Sequence, residues 1–256
     1  MTTFLRQIYQ TLGCFSTKTQ LEMCNDLLRQ LVRGQRKNGN LVAYFVEAIE
    51  SNESFCQIEQ GFAPEGRENA DGTNPVATVM RKSSPMKVLL PSKANYEFTF
   101  VQREIPHLRA MTQEEQNQRG WIDYIARTST TPILGEIKWK GDKNPFYAFI
   151  QLLTYLSEMA TPNQIQRSIQ HKLFGEGIEE ISAFDLHIFL ANFNDRGKKG
   201  KLIGPTAVLA TAFKDRLKSD YPSEVASCLG NILCMSASID EEDECFSSEP
   251  TCRWIV

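Results

Sequence analysis

Asp123, Glu136 and Lys138 are the residues of this chain whose types and spacing could do chemistry together. Glu136 and Lys138 stand two apart in Ile133-Leu-Gly-Glu-Ile-Lys138, and side chains two apart on a strand share a face. Asp123 lies in Gly120-Trp-Ile-Asp-Tyr-Ile-Ala126, a second stretch of alternating β-branched and aromatic character. The connection Arg127-Thr-Ser-Thr-Thr-Pro132 is polar and ends in proline, which suits a hairpin loop. If the register allows it, an antiparallel hairpin there brings Asp123 near Glu136. Two carboxylates a few ångströms apart repel each other, and a hard divalent cation relieves that repulsion. Lys138 then lies within reach of a water on that ion or of a phosphate. Such an ion lowers the pKa of its water and polarises a phosphoryl oxygen, which makes phosphodiester hydrolysis the indicated chemistry. The competing reading is the solvated face of an ordinary sheet. The apolar residues crowding both strands weigh against it, because charges in an apolar frame need a partner or a metal.

The element after these strands continues the theme. Asn144-Pro145 reads as an N-cap with proline at the first helical position, and Phe146 to Met159 has helical periodicity. Phe149, Leu152, Leu153 and Leu156 form an apolar face, while Tyr147, Gln151 and Tyr155 stack at i, i+4 spacing on another. Before the strands, the first fifty residues read as helical. Ser16-Thr-Lys-Thr-Gln20 resembles a capping box, Leu21 to Val32 supplies an apolar stripe, and a further helix covers about Leu41–Glu50. Residues 60–85 are rich in Gly, Pro, Asn, Asp and Ser and read as an exposed loop. Strands are expected at Lys87–Leu90, Tyr96–Val101, Phe184–Phe193 and within Ser227–Ile239, with a helix from Gly204-Pro205 to about Lys218. Met111 to Arg119 reads as a polar connector. His187 reads as a packed sheet histidine, since no Cys or His stands near it at metal-site spacing.

Taken in order, Gly120-x-x-Asp123, Ile133-Leu-Gly-Glu136-x-Lys138 and the helix from Pro145 resemble the PD-(D/E)XK nuclease superfamily, the restriction-endonuclease-like fold. Gln151-x-x-x-Tyr155 resembles the helix motif of its RecB-like branch. The resemblance spans roughly residues 95–160 and a further strand at 184–193. Ile122 stands where the proline that names the family would be, a departure many members share. The resemblance implies metal ligands at Asp123 and Glu136, with magnesium as the ion and manganese able to substitute. It implies that Lys138 orients or activates the attacking water and that Gln151 and Tyr155 contact substrate or support the site. Many members add an acidic residue from an earlier helix; Glu47 is the candidate here, with Glu50 and Glu104 behind it. Lys140, in the basic stretch Lys138-Trp-Lys140-Gly-Asp-Lys143, is a candidate phosphate contact.

The chain has 256 residues and 41% hydrophobic content, enough for a sizeable core. Its formal net charge of −3 argues against a nonspecific nucleic-acid coat, which would be basic. Local basic clusters such as Arg196-Gly-Lys-Lys-Gly-Lys201 could still hold a phosphate backbone. No apolar run reaches the length of a membrane span, and the N-terminus lacks a signal-peptide pattern. Seven cysteines without a CxxC pair suit reduced thiols in a cytoplasm. A Cys245–Cys252 disulfide is the disfavoured alternative.

The expected architecture is α/β: a central mixed β-sheet flanked by helices, a restriction-endonuclease-like core (86–256) with an N-terminal helical extension (1–59), together one nuclease-like domain. The expected function is magnesium-dependent hydrolysis of phosphodiester bonds, with DNA as the substrate, in restriction, repair or defence. A protein partner such as a helicase or another complex subunit could govern it, and no membrane contact is expected. The alternative is a catalytically inactive nuclease-like binding or scaffold subunit of a larger complex.

Overall fold

The computed structural model describes residues 4–33, 39–55, 75–105, 122–139, 144–194 and 196–256, the side chains of 52–55 and 104–105 excepted. Three helices come first: α1 (Phe4–Leu12), α2 (Thr17–Val32) and α3 (Leu41–Phe55). A short helix, α4 (Pro75–Lys82), precedes strands β1 (Met86–Leu89), β2 (Asn95–Ile105), β3 (Ile122–Arg127) and β4 (Pro132–Lys138). Helices α5 (Pro145–Met159) and α6 (Pro162–Gln170) lead to β5 (Phe184–Ala191). A 3-10 turn (Lys198–Leu202), α7 (Ile203–Asp220) and α8 (Ser223–Ala226) lead to β6 (Leu229–Ala237). The short pair β7 (Ile239–Asp240) and β8 (Cys245–Phe246) precedes the last strand, β9 (Thr251–Ile255). No helix among the described residues is long and apolar enough to cross a membrane.

The architecture is mixed α/β, with a central mixed sheet flanked by helices. Strands β1 to β4 pair antiparallel in sequence order. Strands β4, β5 and β6 pair parallel, as strands joined through helices do, and β9 returns antiparallel to β6. The sheet is not left open at its edges. The strands β1-β2-β3-β4-β5-β6-β9 close into a barrel, with Leu89 opposite Thr251 and the Leu89 N–H donating to the Pro250 carbonyl at 3.1 Å. Register shifts at Phe100/Gln102, Phe184/Leu186 and Cys234/Met235 supply the curvature, since a bulge bends its strand and increases the local twist. Closure leaves the two outer strands paired to each other rather than open to a foreign strand.

Alternation then divides the core in two. On the outer face Ile125, Leu134, Leu186, Ile188, Leu190, Ile232 and Cys234 pack under the helices. On the inner face Phe98, Phe100, Tyr124, Ile133, Ile137, Phe189, Leu233 and Met235 pack together. Helix α4 joins the inner cluster through Val76, Ala77, Val79 and Met80. Its existence corrects the reading of 60–85 as loop throughout. Four apolar side chains in eight residues suffice once a cluster receives them, and Pro75 sits at the first helical position. The rest of that stretch, residues 60–74, lies outside the described residues, as does the connector 111–119. Ser16 caps α2 by accepting the Thr19 N–H at 3.2 Å, while Gln20 turns away from the cap and donates to the Leu12 carbonyl at 2.7 Å. Cys14, Cys24, Cys228, Cys234, Cys245 and Cys252 are unbridged.

One register row crosses the sheet as Tyr124, Gly135, His187 and Leu233. The Tyr124 ring lies flat against Gly135, where a Cβ would stand 2.1 Å from the ring. Gly135 is therefore required by close approach, not by its backbone angles. His187 is fully buried; its Nε2 shares a 3.1 Å hydrogen bond with the Tyr96 hydroxyl, which also donates to Asp185 Oδ2 at 3.1 Å. Asp185 Oδ1 accepts the Asn231 N–H at 2.6 Å, beside the register shift in β5 and β6.

Two expected outcomes follow from this row. Gly135→Ala should lower stability by about 1–3 kcal/mol, the range for overpacking a tight core. The double variant with Tyr124→Leu should lose less than the sum of the two single changes, read by denaturant unfolding. Burial pushes the His187 imidazole down to about 3, so it stays neutral in the fold while an unfolded chain protonates it below about pH 6.5. Its contribution to stability is present above that pH and is lost as pH falls toward 3. Melting temperature should fall across that window, and His187→Gln should flatten the fall.

Candidate active site

Helix α5 is held at its start by Asn144, whose side-chain oxygen accepts the Phe146 and Tyr147 N–H groups at 3.0 and 3.2 Å. That cap, with Pro145, sets the rotation of the helix. Gln151 and Tyr155 thereby meet the outer face of β4, where Glu136 and Lys138 point. Continuing the pairing of Tyr124 with Gly135 by one residue places Asp123 opposite Glu136, and opposed residues on paired strands share a face.

Lys138 Nζ donates to Glu136 Oε1 at 2.8 Å and to Gln151 Oε1 at 3.1 Å. Gln151 Nε2 donates to the Tyr155 hydroxyl at 2.6 Å. The ammonium also stands 4.6 Å from the centroid of the Tyr147 ring, within cation–π range. Asp123 Oδ2 accepts the Ile137 N–H at 2.7 Å, which ties the carboxylate to the strand between the two charged residues. Glu136 and Lys138 are only 2% and 3% exposed, so this is not the solvated side of a sheet. Burial, and after it the Glu136 charge, push the Tyr155 hydroxyl well above its ordinary pKa; Tyr9 and Asp123 add to the effect and the Gln151 hydrogen bond opposes it. Both carboxylates thus act on one hydroxyl.

The first helix roofs the cluster. Helix α1 runs antiparallel to α5: Arg6 pairs with Glu158 at 2.6 Å, and the Tyr9 ring lies against Tyr155 and Tyr147. Gly13 stands beside the Tyr147 hydroxyl. Gln20 extends the tie by contacting both the end of α1 and the Asn144 cap. Arg6, Tyr9 and Glu158 carried no sequence signal as site residues, because they join the cluster only through a contact between distant helices. Alternation of apolar residues on α1 could have shown which side of that helix packs, but not onto what.

Asp123, Glu136, Lys138, Gln151 and Tyr155 are brought together; Glu47 is not brought to them. It is exposed on α3, in a groove it shares with Glu50 and Tyr221. Phe45, Val46 and Ala48 take the buried side of that helix, and Glu47 is left facing out. The Glu104 side chain and Lys140 lie outside the described residues. Among the described residues no group of three or more His, Cys, Asp or Glu side chains is arranged to hold a metal ion. Two carboxylates on one face nevertheless suit a magnesium-type ion, which is commonly bound through one or two carboxylates and several waters. Comparisons of the chain with protein-family models, with curated proteins and with solved structures find no match.

The buried Arg6–Glu158 pair generates a stability expectation. Removing one partner leaves the other charge buried, so Arg6→Ala should cost about 3–5 kcal/mol. The double variant Arg6→Met with Glu158→Leu should recover most of that loss. Denaturant midpoints for the parent and the two variants measure it, and equal losses in both variants would show that the pair is not what fastens α1.

Proposed function

We propose that this chain is a metal-dependent nuclease of PD-(D/E)XK type that hydrolyses phosphodiester bonds in DNA. The observation that carries the reading is the hydrogen-bonded chain Glu136–Lys138–Gln151–Tyr155 on the sheet face that Asp123 shares. Those are the residues at which the sequence resembles that superfamily and its RecB-like branch. The proposed nuclease-like core is residues 86–256, the resemblance falling on β2 to β5 and α5, with α1 to α3 in the N-terminal extension.

Asp123 and Glu136 would hold magnesium, or manganese in its place. When bound, the ion supplies charge neutralisation at the phosphate and acidifies water. The protein's own groups do the positioning. Lys138 offers three N–H donors on a compact charge, oriented by Gln151 and by the Tyr147 ring. An ammonium so placed can hold a water or offset charge growing on the phosphate. Gln151 is oriented in turn: its carbonyl must face Lys138, which can only donate, so its amide faces Tyr155. Lys140 is the proposed phosphate contact beyond the strand. A protein partner, such as a helicase or another complex subunit, is proposed as the source of control.

The second reading is a nuclease-like nucleic-acid-binding or scaffold subunit without catalysis. It draws on the near-complete burial of Glu136 and Lys138.

One assay separates the two. Plasmid, linear and single-stranded DNA, and RNA, are incubated with the protein in magnesium, manganese or chelator. Cleavage should need the divalent ion. Lys138→Ala should reduce its rate on the order of a hundredfold or more, as loss of a positioned transition-state contact does, with DNA binding largely kept. Lys140→Ala should do less. An inactive Lys140→Ala beside an active Lys138→Ala would overturn the assignment of the site. No cleavage by the parent protein under any of these conditions would favour the binding subunit.

A further inference from the structure

Helices α1 and α2 leave an apolar groove between them, about 450 Å³ in volume, with Tyr44 of α3 completing its lining. Met23 and Leu27 line it from α2, Phe4 and Ile8 from α1. Phe4 lies against the Tyr44 ring with centroids 4.2 Å apart, yet it remains 44% exposed, and Phe15, in the turn between the two helices, is 38% exposed. Large apolar side chains left in water around a concave surface mark an interaction site. Along one edge, α2 sets Glu22, Asp26 and Gln30 at successive i, i+4 positions, so the three stand in a row. All three offer acceptors. Among the described residues no Lys or Arg lines the groove. Lys18 and Arg29 reach Glu22 and Asp26 along the surface of α2, in exposed pairs of the weak kind. Gln30 Oε1 is enclosed and makes no hydrogen bond among the described residues.

We infer that this groove docks an amphipathic helix of a protein partner, apolar on one face and basic along one edge. The walls are helices, whose backbone groups are spent within themselves. An extended peptide would carry unpaired N–H and C=O groups into an apolar groove, whereas a helix brings none. From Thr19 to Gln30 the lining runs for about 16 Å at 1.5 Å per residue, the length of about three helical turns. Lysine or arginine on the partner's edge answers the Glu22 and Asp26 carboxylates, and a donor beside them answers Gln30 Oε1. A second copy of this chain fits worse, since a two-fold axis across the groove would set Glu22 and Asp26 against their own counterparts. The inference rests on the proposed function only in taking the occupant as the controlling partner. Helix α1 is the link between the two places. Phe4 and Ile8 line the groove, whereas Arg6 and Tyr9 of the same helix contact Glu158, Tyr147 and Tyr155 of α5. An occupant that grips α1 therefore steadies the roof of the Glu136–Lys138 cluster.

The probe is a synthetic amphipathic helix of about four turns, with leucine on one face and lysine along one edge, compared with its twin carrying glutamate in place of lysine. Fluorescence anisotropy of the labelled peptides is read against the full chain at low salt, with chelator and without nucleic acid. The parent should bind the lysine peptide roughly tenfold more tightly than the glutamate peptide, since a rim of like charge penalises the wrong partner. The double variant Glu22→Lys with Asp26→Lys should invert that preference. Both carboxylates are exposed, so the exchange should leave the fold intact, as circular dichroism would show. Phe15→Ser should weaken the lysine peptide without changing the order of the two. Bound lysine peptide should slow hydrogen exchange in α1 and α2. Binding of neither peptide, equal binding of both, a preference that survives the charge reversal, or protection confined to other elements would each overturn the inference. Dimerisation of the parent in sedimentation that Phe15→Ser abolishes would assign the groove to a second copy and overturn it as well. Peptide binding as expected without cleavage in the divalent-ion assay would strike the hydrolytic reading alone, and cleavage without any peptide preference would strike this inference alone.

Discussion

The buried pairing of Lys138 with Glu136 constrains everything built around it. Removing two charges from water costs several kcal/mol for each ion, and the attraction between them repays this only when further hydrogen bonds complete their shells. Here completion comes from α5, through the Gln151 carbonyl and the Tyr147 ring. Gln151 in turn needs an acceptor for its amide, and Tyr155 supplies it. The helix therefore has one admissible rotation over β4, and the Asn144 cap with Pro145 starts it in that rotation. Phe149, Leu152, Leu153 and Leu156 can then be buried on the remaining sides. Polar requirements set the angle, and apolar burial supplies most of the driving force.

The same logic explains why α5 is covered and not merely packed. Glu158, one turn beyond Tyr155, is itself 3% exposed. It could not be buried there without a cation, and Arg6 of α1 is that cation. An ion pair on one side of the helix thus obliges a second ion pair on the other, and the N-terminal helix becomes part of the site's surroundings. Gln20 closes the arrangement by linking the end of α1 to the Asn144 cap. The helical extension is in this sense fastened to the cluster at both ends of α5.

Period-two alternation made the shared face of Glu136 and Lys138 legible in the sequence, because it depends on neighbours along one strand. Asp123 was legible to the extent that the hairpin loop set the register. Asn144-Pro145 and the apolar rows of α5 were legible for the same local reason. What was not legible depends on residues far apart in the chain. Barrel closure rests on three register shifts and on a single opposed pair, Leu89 with Thr251, and alternation does not reveal a bulge. Helix α4 was hidden because its eight residues sit at the end of a stretch whose composition signals loop. Glu47 was placed by analogy with an acidic helix residue, but the apolar positions of α3 leave it on the outside.

The sheet carries a polar cluster on each face, and the two answer to different physics. On the outer face, the charges of Glu136 and Lys138 are paired with each other and joined to the side chains of Gln151 and Tyr155. On the inner face, Asp185, Tyr96 and His187 are tied to backbone and ring. His187 is held neutral by burial, and among the described residues its Nδ1 makes no hydrogen bond. Rings pack around it, with Phe98 at 4.9 Å and Tyr96 at 5.5 Å between centroids. Such a group stabilises one packing of the barrel, because a charge placed on it would be buried among rings. Gly135 lies between the two clusters, on the strand that carries Glu136 and Lys138 outward and receives the Tyr124 ring inward. Its missing side chain lets β3 and β4 lie under that ring without displacing the neighbouring Glu136. The Tyr124 ring against Gly135 thus joins the inner face to β4, the strand whose outer face pairs Glu136 with Lys138 at 2.8 Å.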